Sequence, residues 1–200
     1  VGSEMCIRDR GDAMVLDLPA LLEEHFAGMP VVVCANLPYY ITSPIIMRLL
    51  EGPLPIRSLT VMVQKEAAVR ITAAPGTREC GAISAAVWYY STPKLLFPVS
   101  RGSFLPAPAV DSAVIRLDLP RELPEDLPPR EDFFAVVRAG FGQRRKTMLN
   151  SLSAGLRWEK DATRALLTAA GIAENARAEQ VTLEQWKALT RAYFSMKKSR

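Results

Sequence analysis

Histidine is almost missing from this chain: one residue in 200, His25, set in the acidic stretch Glu23-Glu24-His25-Phe26. A lone histidine among charges reads as a surface residue, and it leaves histidine-based triads and general-base catalysis nothing to work with. Cysteine is scarce as well. Cys6, Cys34 and Cys80 are odd in number, widely spaced and without a C-x-x-C pair. That excludes a disulfide framework and a zinc site, so no metal is expected, and it suits a reducing cytoplasm. No apolar run reaches the ~18–20 residues that a bilayer span needs, and the N-terminus carries no secretory apolar segment. The only G-x-G, Gly140-Phe141-Gly142, lies at the end of a helical stretch, where glycine ends helices, rather than after a strand, where it would cradle a phosphate.

What is present is ordinary globular material with an uneven charge. Hydrophobic residues make up 49% and charged residues 23%, enough apolar surface for one large domain or two small ones. The net charge is +4, yet residues 1–130 hold 12 basic against 14 acidic groups, while residues 131–200 hold 13 against 7. A basic C-terminal part on a near-neutral N-terminal part points to a polyanion-binding module.

The first ten residues show no periodicity and are read as a non-native leader, apart from the fold. Residues 11–119 alternate strands and helices. The apolar run Val31-Val32-Val33-Cys34-Ala35 predicts a buried strand, and Thr42-Ser43-Pro44 a hydroxyl-capped helix with proline at its first position. Residues 58–63 predict a second buried strand, and residues 113–119 a half-exposed antiparallel one with Arg116 and Asp118 outward. Asp12 either follows a strand at the same sheet edge as Asn36 or simply caps a turn. Four prolines in residues 120–130 mark a linker. Beyond it every stretch reads as helix, with breaks near Gly142, Trp158 and Gly171, so residues 131–200 form a small all-α unit.

Asn36-Leu37-Pro38-Tyr39 is where chemistry and pattern meet. An amide that accepts from an amino group, a stiffened turn and an aromatic ring are the parts needed to hold an adenine. They also suit an ordinary strand–turn with a buried tyrosine. Gln64-Lys65-Glu66, Phe104-Leu105-Pro106-Ala107-Pro108, Val110-Asp111-Ser112-Ala113-Val114 and the run Phe141 to Leu152 then follow in order. Together these stretches resemble the ribosomal RNA adenine N6,N6-dimethyltransferases, and the last resembles the bacterial KsgA/RsmA branch.

The resemblance implies an α/β, Rossmann-like S-adenosylmethionine-dependent methyltransferase domain with a small helical C-terminal domain. It implies dimethylation of two adjacent adenines near the 3′ end of 16S rRNA in a small-subunit precursor, by a cytoplasmic monomer with no membrane role. By resemblance, Asn36 and the Leu37 carbonyl accept from the target amine, and Tyr39 and Phe104 sandwich the base. Asp12, Ala13, Asn36 and Pro38 border the cofactor, and Arg144, Arg145 and Lys146 hold RNA. Lys187, Arg191, Lys197, Lys198 and Arg200 are further cations expected to extend that patch. Members of that family carry an N-terminal glycine-rich cofactor loop that has no counterpart here. The expectation is therefore a truncated copy with impaired cofactor binding. A non-catalytic RNA- or ribosome-binding protein, a 23S rRNA methyltransferase and a DNA adenine methyltransferase are the competing readings.

Overall fold

A computed structural model describes residues 11–198, so the expected leader at residues 1–10 and the cation Arg200 lie outside the described residues. The elements run α1 (Leu18–Phe26), β1 (Val31–Asn36), α2 (Thr42–Glu51), β2 (Ile56–Gln64), α3 (Lys65–Thr72), α4 (Ala82–Tyr90), β3 (Thr92–Val99) and β4 (Ser112–Asp118). Then come α5 (Arg130–Phe141), α6 (Met148–Leu156), α7 (Lys160–Ala169) and α8 (Leu183–Lys198). The strand order is β1-β2-β4-β3, with β1 and β2 parallel and β4 antiparallel to both neighbours. Because β1 and β2 point the same way, a crossover must join them, and α2 supplies it.

The sheet's core lies on β2 and β4, whose period-2 pattern puts Leu59, Val61 and Val63 opposite Leu117, Ile115 and Ala113, all buried. Each large side chain buried there contributes about 1.5–3 kcal/mol. The expected antiparallel strand is thus a central one, still with Arg116 outward. β1 corrects its expectation. Val31 is buried, but Val32 is 70% exposed and Cys34 is exposed: two apart on the strand, they share a face of β1 that is open among the described residues. An apolar run records β propensity and does not say whether a strand's face is covered.

One helix start also differs from expectation. A 3-10 turn over Tyr39–Ile41 runs directly into α2, so Thr42 is its first residue rather than its cap, and the Thr42 hydroxyl donates to the Pro38 carbonyl at 3.1 Å. Asp12 follows no strand among the described residues. Its Oδ1 accepts from the Met14 N–H at 2.8 Å and its carbonyl accepts from Val15 and Leu16, which makes it a turn former. Arg48 of α2 donates to the Leu16 carbonyl and ties this segment down.

The helical part joins the sheet part through aromatic rings. Tyr89 and Tyr90 of α4 meet Phe133 and Phe134 of α5 at centroid separations of 4.6 to 5.6 Å. The proline-rich stretch between them is bound down rather than free. The Tyr89 hydroxyl donates to the Pro128 carbonyl at 2.9 Å, and Asp126 takes Arg191 and Lys187 of α8. Among the helices, glycine marks two close approaches: a β-carbon on Gly140 would stand 2.5 Å from the Trp186 ring, and one on Gly155 2.6 Å from Ala139.

Burial pushes the Tyr90 phenol up to about 12 from its ordinary 10. The native state therefore keeps that proton more tightly than the unfolded chain. Its contribution is intact below pH ~10 and is lost as pH rises through ~12, by roughly 2–3 kcal/mol. Tyr90→Phe is expected to flatten this decline. Denaturant unfolding of both proteins at about pH 9 and about pH 12 measures it, and parallel losses in the two would refute the assignment.

Candidate adenine-holding site

The site is built where β1 and β2 end and β4 begins. The register sets Asn36 beside Met62 and Gln64 beside Ser112. The Leu37 N–H donates to the Met62 carbonyl at 3.1 Å and its side chain is buried, so this peptide is held at both ends. The Pro38 carbonyl accepts from Ile41 N–H at 3.2 Å as well as from Thr42, which closes the loop. Asn36 is exposed, and its amide makes no hydrogen bond among the described residues.

Tyr39 is half-buried, its hydroxyl 2.8 Å from the buried Ser112 Oγ. Phe104 is half-buried in the loop between β3 and β4, following a 3-10 turn over Arg101–Ser103, and its N–H donates to the Arg101 carbonyl at 3.3 Å. Neither ring contacts another aromatic side chain among the described residues.

Asp111 joins these pieces. Its carboxylate accepts from the Arg101 N–H at 3.0 Å, its carbonyl accepts from the Lys65 N–H at 3.0 Å, and the next residue is Ser112. One aspartate thus connects the Phe104 loop, the Gln64-Lys65-Glu66 turn and the strand that holds Tyr39. Sequence reasoning quoted Asp111 and Ser112 inside a motif without giving either a task. The signal was there, an acid and a hydroxyl directly before a strand.

Asn36, Leu37, Pro38 and Tyr39 are therefore contiguous and tied to Phe104 through Asp111. Asp12 and Ala13 are not linked by a hydrogen bond to Asn36 or Pro38 among the described residues. Arg144, Arg145 and Lys146 are exposed in the turn before α6, which starts at Met148, and not within the helix. They line a cavity of about 730 Å³ together with Arg70, Arg78 and Arg177, against Glu66, Glu79 and Glu179. The last three arginines were missed because they come from separate elements.

Lys187, Arg191 and Lys197, expected to extend this basic surface, do not: they pair with Glu184, Asp126 and Asp132. Burial alone would lower the Lys187 ammonium, but Glu184 and Asp126 outweigh it and hold it raised. A further cavity of about 520 Å³, lined by Leu50, Tyr90 and Arg121, shares no residue with the loops above. Among the described residues no helix is long and apolar enough to cross a membrane.

Residues 9–194 match the ribosomal RNA adenine dimethylase family. Over 180 residues the chain is 51% identical to ribosomal RNA small subunit methyltransferase A of Alkaliphilus oremlandii, covering 89% of this chain and 62% of that protein. The protein of the same name from Clostridioides difficile is 42% identical over 90% of this chain and 62% of its own length. The chain thus spans a little over three-fifths of these curated relatives. Among solved structures, a dimethyladenosine transferase from Plasmodium falciparum shares the fold with a TM-score of 0.66, at 22% identity, over 82% of this chain and 66% of that one. The 23S rRNA methyltransferase ErmE superposes with a TM-score of 0.63 at 26% identity, over 90% and 69%. The α/β sheet is accordingly of the Rossmann-like methyltransferase type, and the chain belongs to the ribosomal RNA adenine dimethylase family.

Proposed function

We propose that this chain carries the base-holding and RNA-holding parts of an S-adenosylmethionine-dependent enzyme that dimethylates N6 of adjacent adenines near the 3′ end of 16S rRNA in a cytoplasmic small-subunit precursor. The observation that carries the reading is the unpartnered Asn36 amide beside a tyrosine ring pinned by Ser112. The residues present suit the cofactor. Asp12 Oδ1 is spent on Met14, leaving Oδ2 as an acceptor, and Ala13, Asn36 and Pro38 provide an exposed rim. When bound, S-adenosylmethionine supplies a methyl group on a positively charged sulfur.

The protein's own part is to make a poor nucleophile adequate. An adenine amine is weakly nucleophilic because its lone pair is delocalised into the ring. The Asn36 side-chain oxygen and the Leu37 carbonyl accept its two N–H bonds and favour the pyramidal nitrogen of the transition state. Tyr39 and Phe104 stack on the two faces of the extruded base, worth ~1–3 kcal/mol per base and enough to offset unstacking. The amine proton turns acidic as the new N–C bond forms and passes to water, so no strong base is needed. Arg144, Arg145 and Lys146 neutralise backbone phosphates.

Methyl transfer from labelled S-adenosylmethionine to small-subunit particles, with 23S RNA and DNA as controls, tests the reading. Dimethyladenine is expected in 16S rRNA alone, and Asn36→Ala should slow it about 10²-fold, the scale for losing one preorganised polar contact. Label in 23S RNA or DNA, or none at saturating cofactor, would refute it.

A further inference from the structure

Beside the base loops lies a cleft of about 630 Å³, lined by Gln64, Lys65, Glu66, Val69, Arg101, Ala109, Val110 and Asp111. Its side chains have an uneven character. Val69 and Val110 are exposed apolar groups, 40% and 44% accessible, on a surface where such groups are usually covered. Lys65 and Arg101 are exposed, and neither forms an ion pair among the described residues. Two acids share the cleft, Glu66 facing Arg70 at 3.7 Å and Asp111 with one oxygen accepting from the Arg101 N–H, and neither is within ion-pair distance of Lys65 or of the Arg101 guanidinium. Arg101 reaches only the Ala109 carbonyl, at 3.5 Å. An apolar floor flanked by two cations without ion-pair partners is the chemistry of a base with its phosphate.

The position is as informative as the composition. Arg101 opens the turn whose last hydrogen bond fixes Phe104, and Lys65 follows the strand residue paired with Ser112, the partner of Tyr39. The cleft therefore adjoins both rings through Asp111. An RNA base taken between those rings carries its neighbour with it, and that neighbour has to lie somewhere.

We propose that this cleft seats the nucleotide next to the target adenine, with Lys65 and Arg101 on the connecting phosphate and Val69 and Val110 under the neighbouring base. The inference rests on the reading that Tyr39 and Phe104 hold the target. Its value is in register: the enzyme then engages two consecutive nucleotides and not a lone base.

The test uses this chain and a short single-stranded oligoadenylate, with binding followed across a salt series. A Lys65→Ala/Arg101→Ala variant is expected to bind about 10-fold more weakly at low salt. The magnitude of its slope of log affinity against log salt should fall by about 0.7, the value for one single-strand phosphate no longer neutralised. Binding of free adenosine should be unchanged. An oligoadenylate slope equal to wild type overturns the proposal, as does an equal loss for adenosine, which would place the cations on the target base itself. Both side chains are exposed, and circular dichroism checks that the fold is kept. Tyr39→Ala in parallel separates the two readings. If it leaves adenosine binding unaltered while the double variant weakens the oligonucleotide, the base-holding reading fails, and with it the cleft's place next to the target, leaving only a phosphate contact at Lys65 and Arg101.

Discussion

Tyr39→Ala is expected to weaken capture of adenine-containing RNA by about 10- to 100-fold, with a stability loss of about 1–3 kcal/mol because the buried Ser112 hydroxyl loses its partner. On the proposed reading the ring is held for stacking: its hydroxyl is 2.8 Å from Ser112 Oγ, and it contacts no other aromatic side chain among the described residues. Loss of one stacking platform corresponds to ~1–3 kcal/mol. A half-buried side chain at a loop contributes far less to folding than one in the core. Ser112→Ala separates ring from tether. It should cost only about 0.5–1.5 kcal/mol, the net worth of one hydrogen bond, and should raise the dissociation constant by less than Tyr39→Ala does. Fluorescence of an RNA carrying 2-aminopurine at the target position reads both. If Tyr39→Ala binds as well as the wild type, the stacking role is wrong.

Trp186→Ala is expected to produce the largest loss of stability, about 3–5 kcal/mol, against a usual total of roughly 5–15 kcal/mol. Trp186 of α8 is fully buried, stacks on Phe141 at 5.5 Å, and sits over Gly140 so closely that α5 has no room there for a β-carbon. Its removal takes away the ring that joins α8 to α5. Its indole N–H has no partner among the described residues, so Trp186→Phe sheds an unsatisfied donor along with part of the ring and should cost less than half as much. Gly155→Ala should cost about 1–3 kcal/mol by overpacking, since Ala139 backbone stands in the way. Denaturant unfolding ranks the three variants. A Trp186→Ala loss below about 1 kcal/mol would mean that the helical unit is not organised around this ring.

The parts of the fold legible in the sequence were those set by local periodicity. β2, β4 and the helices from α3 onward fall within a few residues of expectation because their apolar spacing and glycine or proline stops act over short range. What failed depends on partners distant in the chain. The openness of the β1 face is decided by what packs against it. The loss of Lys187, Arg191 and Lys197 from the basic surface is decided by acids 3 to 65 residues away. At the site, the residue types of Asn36, Tyr39 and Phe104 were readable, whereas the hydrogen bonds through Asp111 exist only once three loops have converged.

The seam between the sheet and the helices has a consequence for recognition. With Tyr89 fastened to Pro128, Asp126 fastened to α8, and four aromatic rings interlocked across the joint, the helical unit is not free to swing. The separation between the Asn36 loop and the Arg144–Lys146 turn is then a fixed length, and the molecule behaves as a caliper. With the Asn36 loop holding the target base and Arg144–Lys146 the backbone, as proposed, an RNA would satisfy both jaws only by presenting an extrudable adenine at that span from a phosphate ridge. Selectivity of this kind comes from the folded shape of the RNA, with little need to read its sequence.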